Sequence, residues 1–315
     1  MANNKINLIT GGSGFIGANL IERLINKGNK VICMDNFSTG KLHNVSKWIN
    51  HENFKLINHD IVKPIDLDYE ISYIWHLACP ASPQAYQKNP IKTLETCFCG
   101  TLRMLKLSKK LNAKFLFASS SEVYGSQNKI QLKETNSEFV NSFGERSCYS
   151  EGKRIAEILC LEYIKKYSLD IKITRIFNTY GPRMEINDGR VVSSFFKQAL
   201  NNENFIIFGD GSQTRSFCYI DDLIDILIKI MYGKYKNIGP INVGRNEEIS
   251  ILELAKLIQR NFNIKNSIIF SSLREDDPIK RKPDLSKVQK YYNWHAKTSL
   301  NNGLQKTFDF YKNNL

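Results

Sequence analysis

A doubly wound α/β fold, with a parallel sheet covered by helices on both faces and a smaller C-terminal α/β lobe, is what this sequence predicts. Three observations predict it. Short, continuously apolar strands alternate with helical patterns through the first half of the chain. A glycine-rich turn joins the first strand directly to the first helix. After about Asn178 the alternation loosens into loops and helices.

In chain order, Ile6–Thr10 is the first strand, and Gly14–Lys27 is an amphipathic helix opening on the glycine turn. Strands at Lys30–Met34, Lys55–Asn58 and Tyr73–Leu77 follow as short apolar runs, the pattern of strands buried on both faces. Ile91–Leu111 reads as the next helix, Lys114–Ala118 as the fifth strand, Tyr149–Tyr167 as a long helix and Lys172–Arg175 as the sixth strand. Beyond them, the loop-rich stretches Gly181–Arg190 and Gly209–Arg215 separate helices at Val192–Leu200, Asp221–Tyr232, Ile251–Phe262 and Leu300–Tyr311. The chain divides on this reading into 1–178 and 179–315, with some later segments expected to rejoin the main sheet.

At 315 residues, 42% hydrophobic and 24% charged, the composition is that of a globular protein with a full core. No apolar run approaches the roughly 20 residues of a membrane-spanning helix, and Met1–Asn4 runs straight into a strand without a secretion signal. A cytoplasmic protein is the expectation. Cys33, Cys79, Cys97, Cys99, Cys148, Cys160 and Cys218 are odd in number, scattered and without a C-x-x-C pair, so they read as free thiols in a reducing compartment. Cys97 and Cys99 lack zinc-ligating neighbours, and His43, His51, His59, His76 and His295 show no ligand spacing, so no metal is expected. The net charge of +13 is spread along the chain without a basic tail, which fits a solvated surface or a phosphorylated substrate better than nucleic acid.

The turn after the first strand reads Gly11-Gly12-Ser13-Gly14-Phe15-Ile16-Gly17. Glycine is needed there because backbone N–H groups must approach a pyrophosphate closely at a helix N-terminus. Asp35 follows the second strand, where a carboxylate accepts from the adenosine ribose hydroxyls. It is followed by Asn36-Phe37 rather than an arginine that would welcome a 2′-phosphate, so a Rossmann-type site for NAD rather than NADP is expected. Asp60 and Ile61, after the third strand, are candidate adenine contacts, and Leu77 ends the fourth strand at the same sheet edge.

Tyr149 and Lys153 are four residues apart, so they share one helix face. An ammonium beside a phenol, with a nicotinamide cation nearby, is expected to bring the tyrosine toward neutral pKa. The phenolate can then take a proton from a sugar hydroxyl as hydride leaves the same carbon. Ser119-Ser120-Ser121-Glu122 closes a strand upstream, at the carboxyl edge where ligands of such sheets sit.

These residues, together with Pro80-Ala81-Ser82-Pro83, Asn89–Thr93, Ser121–Gly125, Glu151–Arg154, Arg175–Thr179, Gly181–Met184, Asp188–Ser193, Gly211–Arg215 and Arg281-Lys282-Pro283-Asp284, make the chain resemble the extended short-chain dehydrogenase/reductases that act on nucleotide sugars. Within that superfamily it is most similar to the UDP-glucuronate decarboxylases, almost from end to end. The resemblance implies an NAD-binding domain over 1–178 and a mainly UDP-sugar-binding lobe over 179–315. It implies conversion of UDP-glucuronate to UDP-xylose: oxidation at C4, loss of the carboxylate as CO2 from the resulting β-keto acid, and return of the hydride.

The resemblance makes Tyr149 the base, places Ser120 on the sugar O4 where the family has threonine, and makes Glu122 an active-site glutamate. Arg281 would reach the active site from the second lobe. Tyr86 would neighbour the substrate carboxylate, and Ser121, Asn178, Arg190 and Arg215 would hold the UDP-sugar, a guanidinium fork suiting a diphosphate. Ser150 stands where relatives commonly have aspartate. A UDP-glucuronate 4-epimerase is the nearest alternative, and another epimerase or dehydratase a further one. Against a dehydratase, Ser121-Glu122 stands where those enzymes carry Asp-Glu. A non-catalytic RNA-binding member is the remote alternative, against which no aromatic-interleaved basic stripe is present. The superfamily's usual homodimer would pack Ile91–Leu111 and Tyr149–Tyr167 against a second copy, with Leu102, Leu105, Leu159 and Tyr163 among the apolar positions available.

Overall fold

Seven parallel strands form the central sheet of the computed structural model, which describes residues 5–125, 131–136, 140–273 and 279–314. The segment Met1–Asn4 lies outside the described residues. The strands are β1 (Ile6–Thr10), β2 (Lys30–Asp35), β3 (Phe54–Asn58), β4 (Ile71–His76), β5 (Lys114–Ser120), β6 (Ile171–Ile176) and an edge strand at Ile241–Val243. Their order from that edge is Ile241–Val243, β6, β5, β4, β1, β2, β3, so the chain reverses direction across the sheet between β1 and β4. That reversal opens a crevice at the carboxyl edge, where ligands of open α/β sheets bind.

The continuous apolar runs are explained by burial on both faces. Ile9, Val31, Cys33, Trp75 and Leu116 face one core, and Leu8, Ile32, Ile74, Phe115 and Phe117 face the other. Helices α1 (Phe15–Ile25) and α7 (Ile220–Tyr232) cover the first face, and α4 (Thr101–Leu111) and α5 (Ser147–Tyr167) the second. The buried Asn7 side chain accepts from Trp75 Nε1 at 3.0 Å and Tyr232 Oη at 2.9 Å, tying α7 to the sheet centre. The sheet therefore takes a strand, and one face a helix, from beyond residue 178.

Between β4 and β5 the chain forms α2 (Pro83–Lys88), α3 (Pro90–Glu95), a π-helical turn at Thr96–Gly100 and then α4. Asn89 caps α3 by accepting from Lys92 N at 3.0 Å, with Pro90 in the first turn, which is why the helix restarts there. The α2 helix was not foreseen, and the expected Ile91–Leu111 helix is interrupted by the π turn.

The remaining helices are α6 (Val191–Leu200), α8 (Ile251–Phe262), α9 (Ser286–Tyr292) and α10 (Leu300–Asn314). A small sheet joins Glu248–Ser250, Thr214–Ser216 and Lys280–Arg281, and places Arg281 directly beside Arg215 in register. Three of the apolar positions considered for an intersubunit face pack on the chain's own core. Leu105 is fully buried in the core, and Leu159 and Tyr163 pack against that same core, while Leu102 is half-buried. The apolar side chains left exposed on these helices are Ile91, Leu94, Phe98, Ile155, Ile158 and Leu161.

Candidate active site

The glycine turn closes tightly against the strand edge. Gly11 has φ +70°, and a Cβ there would lie 2.8 Å from Ala78 backbone atoms. A Cβ on Gly17 would lie 2.3 Å from the Gly11 carbonyl, so any side chain would push α1 off the turn. Gly14 caps α1, and Phe15 and Ile16 follow it on the cavity wall. Asp35 ends β2, its carboxylate accepting from Ser13 N and Phe37 N, both at 2.9 Å. Burial raises its pKa, and the backbone N–H groups of Phe37, Ser13 and Asn36 oppose that shift.

These groups line one cavity of about 1170 Å³. Asn36, Asp60, Ile61 and Leu77 border the same cavity. Burial opposes ionisation of Asp60, but Lys92 at 2.9 Å and the Val62 N–H hold it below its ordinary range. A close-approach glycine cradle with a carboxylate at the end of β2 fits a dinucleotide.

At the other end of the cavity Tyr149 and Lys153 lie on the first turns of α5, both buried. Lys153 donates to the Ala118 carbonyl at 2.8 Å, and its Nζ lies 5.8 Å from the Tyr149 ring centre. The Tyr86 ring, carried by α2, stacks on Tyr149 with centroids 4.9 Å apart and planes 7° from parallel. Burial holds Tyr149 well above the ordinary phenol pKa, the nearby Cys79 pushes the same way, and the Ser120 hydroxyl counters it. Desolvation is the largest of these influences.

Ser120 accepts from Glu122 N at 3.2 Å. Arg281 arrives from the small sheet, is 3% exposed, and donates to the Ser121 carbonyl at 2.6 Å. Its second amino group lies 3.5 Å from the Glu122 carboxylate. Arg146, just before α5, places a guanidinium nitrogen 3.9 Å from the other Glu122 oxygen. Glu122 thus sits between two cations. Arg146 was missed in the sequence, although it stands three residues before Tyr149, on the same side of the helix start.

Asn178 follows β6, and its carbonyl accepts from Cys218 N at 2.8 Å, leaving its side chain on the cavity wall. Arg190 caps α6 and is held by both oxygens of Asp188. Arg215 is buried, donates to the Thr214 carbonyl at 2.8 Å and borders the same cavity. The structure thus gathers the proposed nucleotide, sugar and diphosphate residues around a single space, drawing them from both halves of the chain.

The model of the NAD dependent epimerase/dehydratase family matches residues 7–244. The chain is 48% identical over 297 residues to UDP-glucuronic acid decarboxylase 4 of Arabidopsis thaliana, covering 94% of this chain and 66% of that protein. It therefore spans just under two thirds of that relative's length. It is 46% identical over 308 residues to UDP-glucuronic acid decarboxylase 1 of Xenopus tropicalis, covering 98% of this chain and 72% of that one. The crystal structure of UDP-glucuronic acid 4-epimerase from Bacillus cereus, in complex with UDP-glucuronic acid and NAD, superposes with a TM-score of 0.88 at 28% identity, covering 98% of this chain and 100% of that one.

Proposed function

We propose that this chain, which belongs to the NAD dependent epimerase/dehydratase family, decarboxylates UDP-glucuronate to UDP-xylose. The observation that carries the reading is Glu122 held between Arg281 and Arg146 beside Tyr149, in a chain 46–48% identical to proteins named as decarboxylases of this substrate. The 4-epimerase neighbour shares the fold at 28% identity, a weaker warrant for its reaction.

NAD+, when bound, would supply what the side chains lack, a reversible hydride acceptor for C4 of the sugar and a positive charge. Gly11, Gly14 and Gly17 would admit its pyrophosphate and Asp35 its ribose, with Asn36, Asp60, Ile61 and Leu77 around the adenine end. Tyr149 takes the C4 hydroxyl proton and Ser120 orients that oxygen. Lys153 adds positive charge on the same helix face. With a ketone at C4, the C5 carboxylate leaves as CO2 because its electrons pass into the ketone oxygen, which Tyr149 and Ser120 stabilise. Glu122 and Arg281 would hold or move the proton that replaces the carboxylate at C5. Arg190 and Arg215 suit the diphosphate, Asn178 and Ser121 the uridine–sugar span, and Tyr86 the carboxylate.

Incubation of the protein with UDP-glucuronate and NAD+ should release one CO2 per UDP-pentose formed. UDP-galacturonate without CO2 would establish epimerisation instead.

The exposed apolar residues of α3 to α5 suit a homodimer, in which Ile91, Leu94, Phe98, Ile155, Ile158 and Leu161 would pack against their symmetry mates. Light scattering should give a dimer for the native chain and a monomer for Ile158→Glu; a monomeric native chain would contradict this. The free cysteines fit a cytoplasmic setting.

A further inference from the structure

We propose that Cys79 and Cys97 are a peroxide-responsive thiol pair, closing to a reversible disulfide beside Tyr149 and Lys153 and slowing turnover while closed. Cys79 follows β4 on the cavity wall, and Cys97 is buried in the π turn. Their sulfurs are 3.4 Å apart. A disulfide needs about 2.05 Å, so the closing movement is of the order of an ångström. Cys97 packs on α5 where a Cβ on Gly152 would lie 3.0 Å from its sulfur, directly between Tyr149 and Lys153 in the helix.

The two thiols are unequal. The hydrogen bond from Cys97 and the Lys153 ammonium hold Cys79 below its ordinary range against burial, whereas Cys97 is pushed up. Cys79 is therefore the nucleophile and Cys97 the resolving thiol. The Cys79 thiolate attacks one peroxide oxygen, the O–O bond breaks, and hydroxide leaves to collect a proton as water. The Cys97 sulfur then attacks the resulting Cys79 sulfenic acid, the S–S bond forms, and the S–O oxygen departs as water with the Cys97 proton. Two thiols are oxidised and one peroxide is reduced. Elsewhere, burial raises Cys33, Cys160 and Cys218, which makes them poor nucleophiles.

The consequence for turnover rests on the roles given above to Tyr149 and Lys153; the linkage itself rests only on the sulfur geometry. The Cys79 loop abuts the glycine turn, since a Cβ on Gly11 would touch Ala78, so drawing it toward α5 disturbs both ends of the site.

Native protein treated with hydrogen peroxide and digested without reductant should yield the Cys79–Cys97 cross-linked peptide. Turnover should fall about tenfold in parallel, and dithiothreitol should reverse both. Cys97→Ala should turn over like the native protein when reduced. In excess peroxide it should lose activity irreversibly, because Cys79 proceeds to sulfinic acid without its resolving partner. Linkage of Cys79 to Cys148 or Cys99, a complete Cys79–Cys97 link with unchanged turnover, or native-like recovery of Cys97→Ala would each overturn the proposal. The peptide map decides the sulfur chemistry even if UDP-glucuronate proves not to be the substrate.

Discussion

Tyr149→Phe should lower turnover of UDP-glucuronate by about 10³-fold or more, the scale of a lost general base whose hydroxyl also orients the reacting oxygen. The phenyl ring keeps the stack on Tyr86 and fills the same buried volume, so folding and UDP binding should be retained. Calorimetric binding of UDP and thermal unfolding should both resemble the native protein, which separates lost chemistry from lost structure. Because burial holds the phenol well above its ordinary pKa, the native protein needs the positive charge of the oxidised nicotinamide to release that proton. Turnover within tenfold of native would remove Tyr149 from the role of base.

Arg281→Ala should cost about 10²-fold to 10³-fold in kcat/KM, the range for deleting one buried charge-stabilising donor. Arg281 reaches from the small sheet to the Ser121 carbonyl and the Glu122 carboxylate. Without it the Ser121 carbonyl loses a charged donor and Glu122 keeps Arg146 as its neighbouring cation. Arg281→Lys should recover little, because a single ammonium cannot meet the carbonyl and the carboxylate in the geometry of a planar fork. Steady-state kinetics of both variants beside thermal unfolding checks this; full activity in Arg281→Lys would show that only the charge matters.

Local spacing made one half of the site legible. The turn Gly11–Gly17, its following helix, Asp35 at a strand end and the four-residue spacing of Tyr149 and Lys153 are all set by local sequence patterns, so motif and periodicity expose them. The other half is assembled by pairings that carry no local signal. Lys280–Arg281 is too short to show an alternation, yet its register against Thr214–Ser216 sets Arg281 beside Arg215. Ile91–Leu111 reads as one helix because a π turn leaves the apolar pattern nearly intact while shifting its phase, and Cys97 in that turn meets Gly152. The direction of the Tyr149 pKa depends on how deeply the ring is buried and on the thiols packed around it, both tertiary facts. Ile158 and Leu159 look alike in sequence, and only packing shows which of them meets solvent.

The claim on which the account turns is that the electrons removed from C4 come back to the same carbon, so that decarboxylation costs no net oxidation. UDP-glucuronate carrying deuterium at C4, turned over in the presence of unlabelled NADH, tests it most directly. The account predicts UDP-xylose that retains the deuterium at C4, with one CO2 released per pentose. Protium at C4 of the pentose, or a six-carbon sugar still bearing its carboxylate, would contradict it.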